Sequence, residues 1–456
     1  MSADPRLANW LAAASAVRGE GPWRAALRRF RANRAAALSA LFLLFVAMGS
    51  LCAPFLPLAS PMVMELSGEP RPPRLAPLTD QGWRHRVTLA FTLGESLRSR
   101  EMLVRTEQAL VQLVRRATGD TARVFRHGQR EETDGLRLVL LYRRELDPAR
   151  GGELEARVRE HLATQTVDGK LHLRGGGDVA LSLTGVSAED GYGELSRLDR
   201  WLVRQRHATF GFLELGPLLG TDSKGRDLLA RLVFGSRVSL LVALAGALVS
   251  LLVGVSYGAL AGYFGGRTDE RMMRLVDVLY SIPFLFVVIF VITILDEYAR
   301  ELAAFGIGRM TAFFVVLGLV TWLTMARVVR GQVLALRNQE FVLAARTMGA
   351  SHARILAVHI LPHLTGIVAV YLTLTLPTVM LQEAFLSFLG LGVRAPDVSW
   401  GLLAADAVEA ISPLSIAWWL VLGPALFMGS TLLALNVLGD GLRDALDPKL
   451  AGGRRA

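Results

Sequence analysis

The 456-residue sequence contains one cysteine, Cys52, so no disulfide can form within the chain and no cysteine-based metal site can be built. No Gly-x-x-x-x-Gly-Lys-Ser/Thr phosphate loop occurs. The nearest run, "GPLLGTDSKGR", has its glycines and lysine in the wrong order, so the chain is not expected to hydrolyse ATP or to bind a cofactor of its own. Repeats of solenoid period and low-complexity tracts are absent. Charge is missing from long windows as well: Ala35–Ala53, Val238–Gly265, Val278–Leu295, Met310–Ala326, Leu364–Gly392 (interrupted by Glu383) and Ile411–Gly439. A helix needs about 20 apolar residues to cross the bilayer core, and these six windows reach or approach that length. With 52% hydrophobic residues and a mean hydropathy of +0.39, the sequence excludes a large soluble core and reads as six transmembrane helices.

Fifty Lys and Arg against forty acids give a formal charge of +10, but its placement argues against nucleic acid. Arg24, Arg28, Arg29, Arg31 and Arg34 crowd the approach to the first span, which puts the N-terminal segment, 1–34, in the cytoplasm. Six spans threaded from there leave loops 267–277 and 327–363 and the tail, 451–456, inside. Those loops carry Arg267, Arg271, Arg274, Arg327, Arg330, Arg337, Arg346 and Arg354. The polypeptide is therefore expected to cross a membrane several times. One segment dissents: Lys224, Arg226, Arg231 and Arg237 precede the second span on the outer side, offset by Asp222 and Asp227. The first apolar stretch starts too late and runs too long for a cleavable signal peptide.

Between span 1 (35–58) and the core of spans 2–6 (209–450), residues 60–208 are charged and without a span-length window. They open with the connector "SPMVMELSGEPRPPRLAP". "RHRVTLAFTL" alternates as a strand, and "SLRSREMLVRTEQALVQLVRRATG" has helical spacing. "TARVFRH", "LRLVLLYRRE", "GGELEARVREHLATQ" and "KLHLRGGGDVALSLTG" continue as strand, strand, helix and strand. That order is expected of an α+β, ferredoxin-like insertion, external by the threading above.

The run "EFVLAARTMGASHARILAVHILPH", residues 340–363, is helical in character yet lies between spans. Ala345 and Gly349 are about one turn apart, leaving a face that is nearly bare backbone, with Ala344 and Ala350 also small. Gly349 favours a break, and a second short helix is expected to end before Pro362. An interfacial helix lying on lipid and a surface shaped for another protein's groove both fit these residues. His352, His359 and His363 have no carboxylate or cysteine at ligand spacing, so no metal is expected. Glu383, within the fifth span, is a candidate pathway or gating residue or a buried helix–helix hydrogen bond. Asp277 is a boundary residue expected to pair with Arg274 or Arg271, and Asn436 an interhelical hydrogen bond. Pro283, Pro377 and Pro424 are expected to kink their helices.

Residues 340–363 resemble the EAA loop of ABC importer permeases. Ala344, Ala345, Gly349, Leu361 and Pro362 match its pattern, while Leu343 and His359 replace its Glu and Ile. "LLGTDSKGRDLLARLVFGSRVSL", "GALAGYFGGRTDERMMRLVDVLYSIP", "EAFLSFLGLGVRAPDVSWG" and "LALNVLGDGLRDALDPKL" are similar, in order, to the second permease of oligopeptide, dipeptide and nickel importers. The resemblance does not extend to residues 60–208. It implies the type I ABC importer permease fold and an assembly with a second homologous permease. Two cytoplasmic ATPases that use ATP and Mg, and an external substrate-binding protein, complete the implied assembly. It also implies that loop 337–363, with Ala344, Ala345, Arg346, Gly349, Ala350, Leu361 and Pro362, couples to those ATPases. The implied cargo is peptides or related small solutes, with nickel or another metal chelate as the alternative. A secondary transporter would call for paired broken helices in inverted repeats; a membrane-anchored sensor would call for a cytoplasmic output domain. Neither is found in the sequence.

Overall fold

The structure is a computed structural model that describes residues 22–65, 70–73, 79–80, 85–92, 122–126, 135–142, 179–185, 192, 195–211, 213–298, 301, 309–393, 397–410 and 417–446. Its helices are α1 (Pro22–Ala32), α2 (Arg34–Leu51), α3 (Arg197–Phe210), α4 (Leu228–Val249), α5 (Val255–Phe264), α6 (Gly266–Ser281) and α7 (Phe284–Glu297). They continue with α8 (Arg309–Leu336), α9 (Glu340–Thr347), α10 (His352–Arg354), α11 (Leu361–Phe388), α12 (Trp400–Glu409) and α13 (Trp418–Leu446). The strands are β1 (Met64–Glu65), β2 (Thr79–Asp80), β3 (His85–Thr92), β4 (Ala122–Arg126), β5 (Gly135–Tyr142), β6 (Val179–Gly185) and β7 (Glu214–Leu215). The residues group into two compact units. One comprises Met1–Phe45, Leu240–Glu383 and Gly429–Ala456, the other Val46–Ser239 and Ala384–Met428.

Among the described residues, five helical stretches are long and apolar enough to span a membrane: Arg34–Leu51, Leu228–Phe264, Val316–Leu336, His352–Phe388 and Trp418–Leu446. A sixth exists if the bent pair Gly266–Ser281 and Phe284–Leu295 is one span. Six spans are therefore available where the hydropathy places six, but the helices run past the apolar windows. Backbone hydrogen bonding continues wherever polar side chains can reach water, so hydropathy marks the membrane portion of a helix rather than its ends. The expected loop 267–277 is accordingly helix α6. The third span does not begin cleanly at Val278: α6 and α7 meet at 85°. Pro283 causes the bend. It has no N–H to continue α6, and its ring forces Ile282 into an extended conformation (φ −82°, ψ 124°). Pro377 and Pro424, by contrast, sit inside helices that continue through them.

In the first unit, α5 and α8 approach at backbone distance. A Cβ added at Gly254 would sit 2.7 Å from Met325 Cβ, one at Gly262 would be 2.8 Å from the Arg330 carbonyl oxygen, and one at Gly258 would overlap the Ala326 carbonyl. The three glycines recur every fourth residue, so they share one face of the helix. Between α4 and α5 the helix widens into a π turn, Ser250–Gly254. There the buried Ser250 hydroxyl donates to the Thr321 carbonyl at 3.2 Å. Beyond α8, the chain returns through α9 and α10. A core of Tyr263, Val329, Val333, Val342, Ala345, Ile355, Ile360 and Leu364 closes around them.

In the second unit, β1, β4, β5, β3 and β6 form a five-stranded sheet in that order, and every neighbouring pair is antiparallel. The β3–β5 ladder runs in unbroken register from His85–Tyr142 to Thr92–Gly135. Strands β3 and β4 are thus separated by one strand, as are β5 and β6. The helices expected between each of these pairs lie outside the described residues. A two-stranded ladder, β2 with β7, joins Thr79–Asp80 to Glu214–Leu215.

Candidate functional site

Residues 340–363 fold as two helices meeting at a corner. Met348 ends α9 with its amide hydrogen-bonded to the Ala344 carbonyl. Gly349 then takes φ +81°, a left-handed conformation that costs an L-residue roughly 1–2 kcal/mol and glycine almost nothing. Ser351 caps α10, its Oγ accepting from the Arg354 amide at 3.3 Å. The break at Gly349 is where the sequence places it.

The second short helix does not end before Pro362. It passes through a π turn, Ile355–Ile360, directly into α11. Proline lacks the N–H that an interior helical position donates, and its ring needs extra room over the preceding turn. A widened turn immediately ahead of it supplies that room. The loop is therefore mechanically continuous with the fifth span.

The small residues do not share one face: Ala345 turns inward and Ala350 is partly covered, while Ala344 and Gly349 face outward. Ala345 is 1% exposed and packs with Val342 on the inner core, while Ala350 and Leu361 cover its edge. The exposed face carries Leu343, Ala344, Arg346, Met348, Gly349 and Pro362. Met348 is 79% exposed, an unbranched apolar knob at the corner. Phe341 stacks on His363 at 4.7 Å between ring centroids, closing the base of the corner.

Around the corner, polar clamps fix the helix ends. The buried Tyr263 hydroxyl lies 2.8 Å from His352 Nδ1, and the Arg346 guanidinium stands 6.0 Å from the Tyr263 ring. Arg327, Arg330 and Arg337 share one side of α8, being three and seven residues apart. Arg327 donates to Asp277 at 2.7 Å. Asp277 thus pairs across helices, and not with Arg274 or Arg271 on its own; Arg274 instead meets Glu270 at 2.9 Å. Arg330 holds Asp269 through two bonds of 2.6 and 2.7 Å, the fork geometry that only arginine offers. Arg337 donates to the Gly262 carbonyl at 3.2 Å, covering the negative end of α5. The arginines that the sequence presents as a topological signal are thus also structural ties.

Glu383 is 1% exposed on α11, beside Gln382, whose Oε1 is buried and unbonded among the described residues. Asn436 lies exposed on α13 and makes no interhelical hydrogen bond among the described residues.

The second unit contains a charged cluster that the sequence shows only in part. In "GTDSKGRD", Gly220 (φ +82°) and Gly225 (φ +70°) fold the chain back on itself. Asp222 Oδ1 accepts from the Lys224 and Arg226 amides, both at 2.9 Å. Its Oδ2 accepts from Arg226 Nε at 2.7 Å and from Arg231 Nη1 at 2.6 Å. Asp406 on α12 completes the cluster, accepting from both Arg231 terminal nitrogens at 3.0 Å. Burial alone would raise the Asp222 carboxyl, but Arg226 and Arg231 beside it, with the amide bonds, hold it below the ordinary carboxylate value. Two arginines balance two aspartates here, and Arg237 pairs with Asp199 at 2.8 Å. The positive residues that dissent from the charge rule are therefore largely neutralised in place. The same motif block docks α12: Trp400 Nε1 donates to the Leu232 carbonyl at 2.9 Å and its amide to Ser239 Oγ at 3.1 Å.

Two family descriptions match the chain: an N-terminal transmembrane domain of oligopeptide transport permease C over residues 21–73, and a binding-protein-dependent transport system inner membrane component over residues 232–452. Residues 74–231 lie between the two matches. Over 231 residues the chain is 47% identical to a dipeptide transport system permease protein, DppC, of Bacillus subtilis, covering 51% of this chain and 68% of that one. It is 46% identical to oligopeptide transport system permease proteins, OppC. In Haemophilus influenzae the match covers 50% of this chain and 70% of that one, and in Escherichia coli 52% and 74%. The chain belongs to the binding-protein-dependent transport system inner membrane components, and is a membrane-spanning subunit of an ABC-type importer.

Proposed function

We propose that this chain moves peptides or related small solutes into the cytoplasm and is driven by partner ATPases that dock on the corner between α9 and α10. The observation that carries the docking is the corner itself. A left-handed glycine, a 79%-exposed Met348 beside it and a helix running unbroken from His352 into a span together make a lever with an apolar tip. From His352 onward a push on the corner reaches α11 through continuous helix. It also reaches α5 and α8 through Tyr263 and the buried core.

The peptide reading rests on the relatives, which are named for dipeptides and oligopeptides; nickel is less favoured. In this reading the N- and C-termini are cytoplasmic and residues 60–208 external. A second homologous permease, two ATPases and a soluble binding protein complete the assembly. The strand order of the insertion fits a ferredoxin-like sandwich, in which each helix-joined strand pair is separated by one strand.

The test uses the single native cysteine. In a Cys52→Ser background, Met348→Cys should crosslink to an ATPase subunit in the assembled complex, with a yield that changes on ATP binding. Met348→Glu should abolish peptide uptake while leaving the chain in the membrane, since a central apolar anchor carries about 2 kcal/mol or more of an interface. Unchanged uptake by Met348→Glu would reject the corner as the docking point.

A further inference from the structure

We infer that α1 is an anionic-phospholipid-binding helix that lies in the headgroup layer and anchors the start of the first span. Its sequence, PWRAALRRFRA, contains four arginines and no acid. Ala26, Leu27 and Phe30 fall within about 100° of its circumference, and Arg28 and Arg31 lie outside that arc. Ala26 is buried and Phe30 half-buried, whereas Leu27 is 50% exposed, so the apolar side is only partly covered by the chain itself.

Connectivity sets the depth. Asn33 alone separates α1 from α2. Its Oδ1 accepts from the Ala36 amide at 3.2 Å and its carbonyl from the Ala37 amide at 3.0 Å, so it caps α2, a span-length apolar helix. The end of α1 is therefore held where hydrocarbon gives way to headgroups, whichever face of the membrane that is. A Cβ on Gly441 of α13 would overlap Ala36, so this junction is also packed closely within its own unit.

At that depth Arg28, Arg31 and Arg34 are exposed. Guanidinium groups at the interface meet lipid phosphates, and a helix with Leu27 facing the acyl boundary gains from both contacts. The commitment to anionic lipid over a protein partner comes from charge: a basic helix covalently fixed at the bilayer surface needs no further partner to find negative charge.

The experiment places the full chain, Cys52→Ser with Leu27→Cys carrying an environment-sensitive fluorophore, in nanodiscs. One set contains phosphatidylcholine alone and the other includes phosphatidylglycerol. The label should be blue-shifted and shielded from an aqueous quencher in the anionic discs, and less so in the neutral ones or at high salt. Arg28→Gln, Arg31→Gln and Arg34→Gln combined should cut the phosphatidylglycerol retained through purification by about tenfold. If the combined variant folds poorly, the salt dependence of the unsubstituted arginines decides. Equal shielding in both lipids, indifferent to salt and to the glutamines, would overturn the proposal. So would shielding that arises only when ATPase subunits are added, which would make α1 a protein contact.

Discussion

The α5–α8 contact and the Asp222 cluster hold two parts of the same chain by opposite means. At α5 the sequence removes side chains: Gly254, Gly258 and Gly262 let backbone meet backbone, and the contact is stabilised by dispersion over close-packed surface. At "GTDSKGRD" the sequence adds charge and satisfies it, with every Asp222 oxygen occupied and two arginines shared with Asp406. In lipid no hydrophobic gain drives one apolar helix onto another, so close approach is the available route. In a segment with water nearby, burying charge is possible only when its partners are already in place. The two regions should therefore fail differently.

The largest effect is expected from the glycine face. Gly258→Leu sets a side chain against the Ala326 backbone, which cannot yield, and the loss should exceed the roughly 1–3 kcal/mol of ordinary overpacking. The solubilised chain should run as aggregate on size exclusion. Gly429→Ala, at a helical glycine with open space around it, should leave the profile unchanged. A monodisperse Gly258→Leu would mean that α5 and α8 are not in backbone contact.

The charged cluster should lose somewhat less on Asp222→Asn than the roughly 3–5 kcal/mol of a fully broken buried pair, because Arg231, with its side chain 2% exposed, loses one carboxylate and keeps Asp406. Asp406→Asn should cost less, its side chain being 30% exposed. The paired change Asp222→Leu with Arg231→Met should recover much of the loss, as replacing a buried pair outright often does. The sign with pH follows from the depressed Asp222 carboxyl. Its contribution is complete above the unfolded-state value and disappears as pH falls through the lower folded-state value. Melting temperatures measured from neutral to acidic pH should therefore drop, with a shallower drop in Asp222→Asn.

Smaller still is the expected effect of Arg330→Lys. A point charge cannot reproduce the two parallel bonds to Asp269, and Arg330 is partly exposed, so a loss of about 1 kcal/mol should appear as a small fall in melting temperature.

Much of this was legible from one sequence and some of it could not be. Long apolar windows mark spans because a bilayer demands about the same length everywhere. Their ends were not legible, since α8 runs on to Leu336, ten residues past the window that closes at Ala326. Gly254, Gly258 and Gly262 recur every four residues, but their spacing alone does not name α8 as the partner. Ala345 shows the converse: a small residue suits both an inner core and an outer dock, and only the fold shows that it faces inward. Arg231 and Asp406 are 175 positions apart, and nothing local in the sequence couples them. The corner at Gly349 was legible because positive φ has so few other residues to carry it.

That corner gives a small predicted change in stability, comparable to that of Arg330→Lys, and the clearest separation of stability from transport. Apart from its chain neighbours, no atom of the described residues lies within 4 Å of a Cβ built on Gly349, so what a substitution meets there is the φ of +81°. Gly349→Ala should therefore cost only about 1–2 kcal/mol, the price of a left-handed L-residue, and Gly349→Asn less, because Asn tolerates that region better. Gly349→Leu shares the backbone cost of Ala and adds bulk beside Met348 on the outside. Melting temperatures of the solubilised chain should fall alike for Ala and Leu. Uptake by the assembled complex should fall far more for Leu, because only there would the added volume stand where the proposed ATPase contact forms. If Leu and Ala reduce uptake equally, the loss is backbone strain and the outer face of the corner is not an interface.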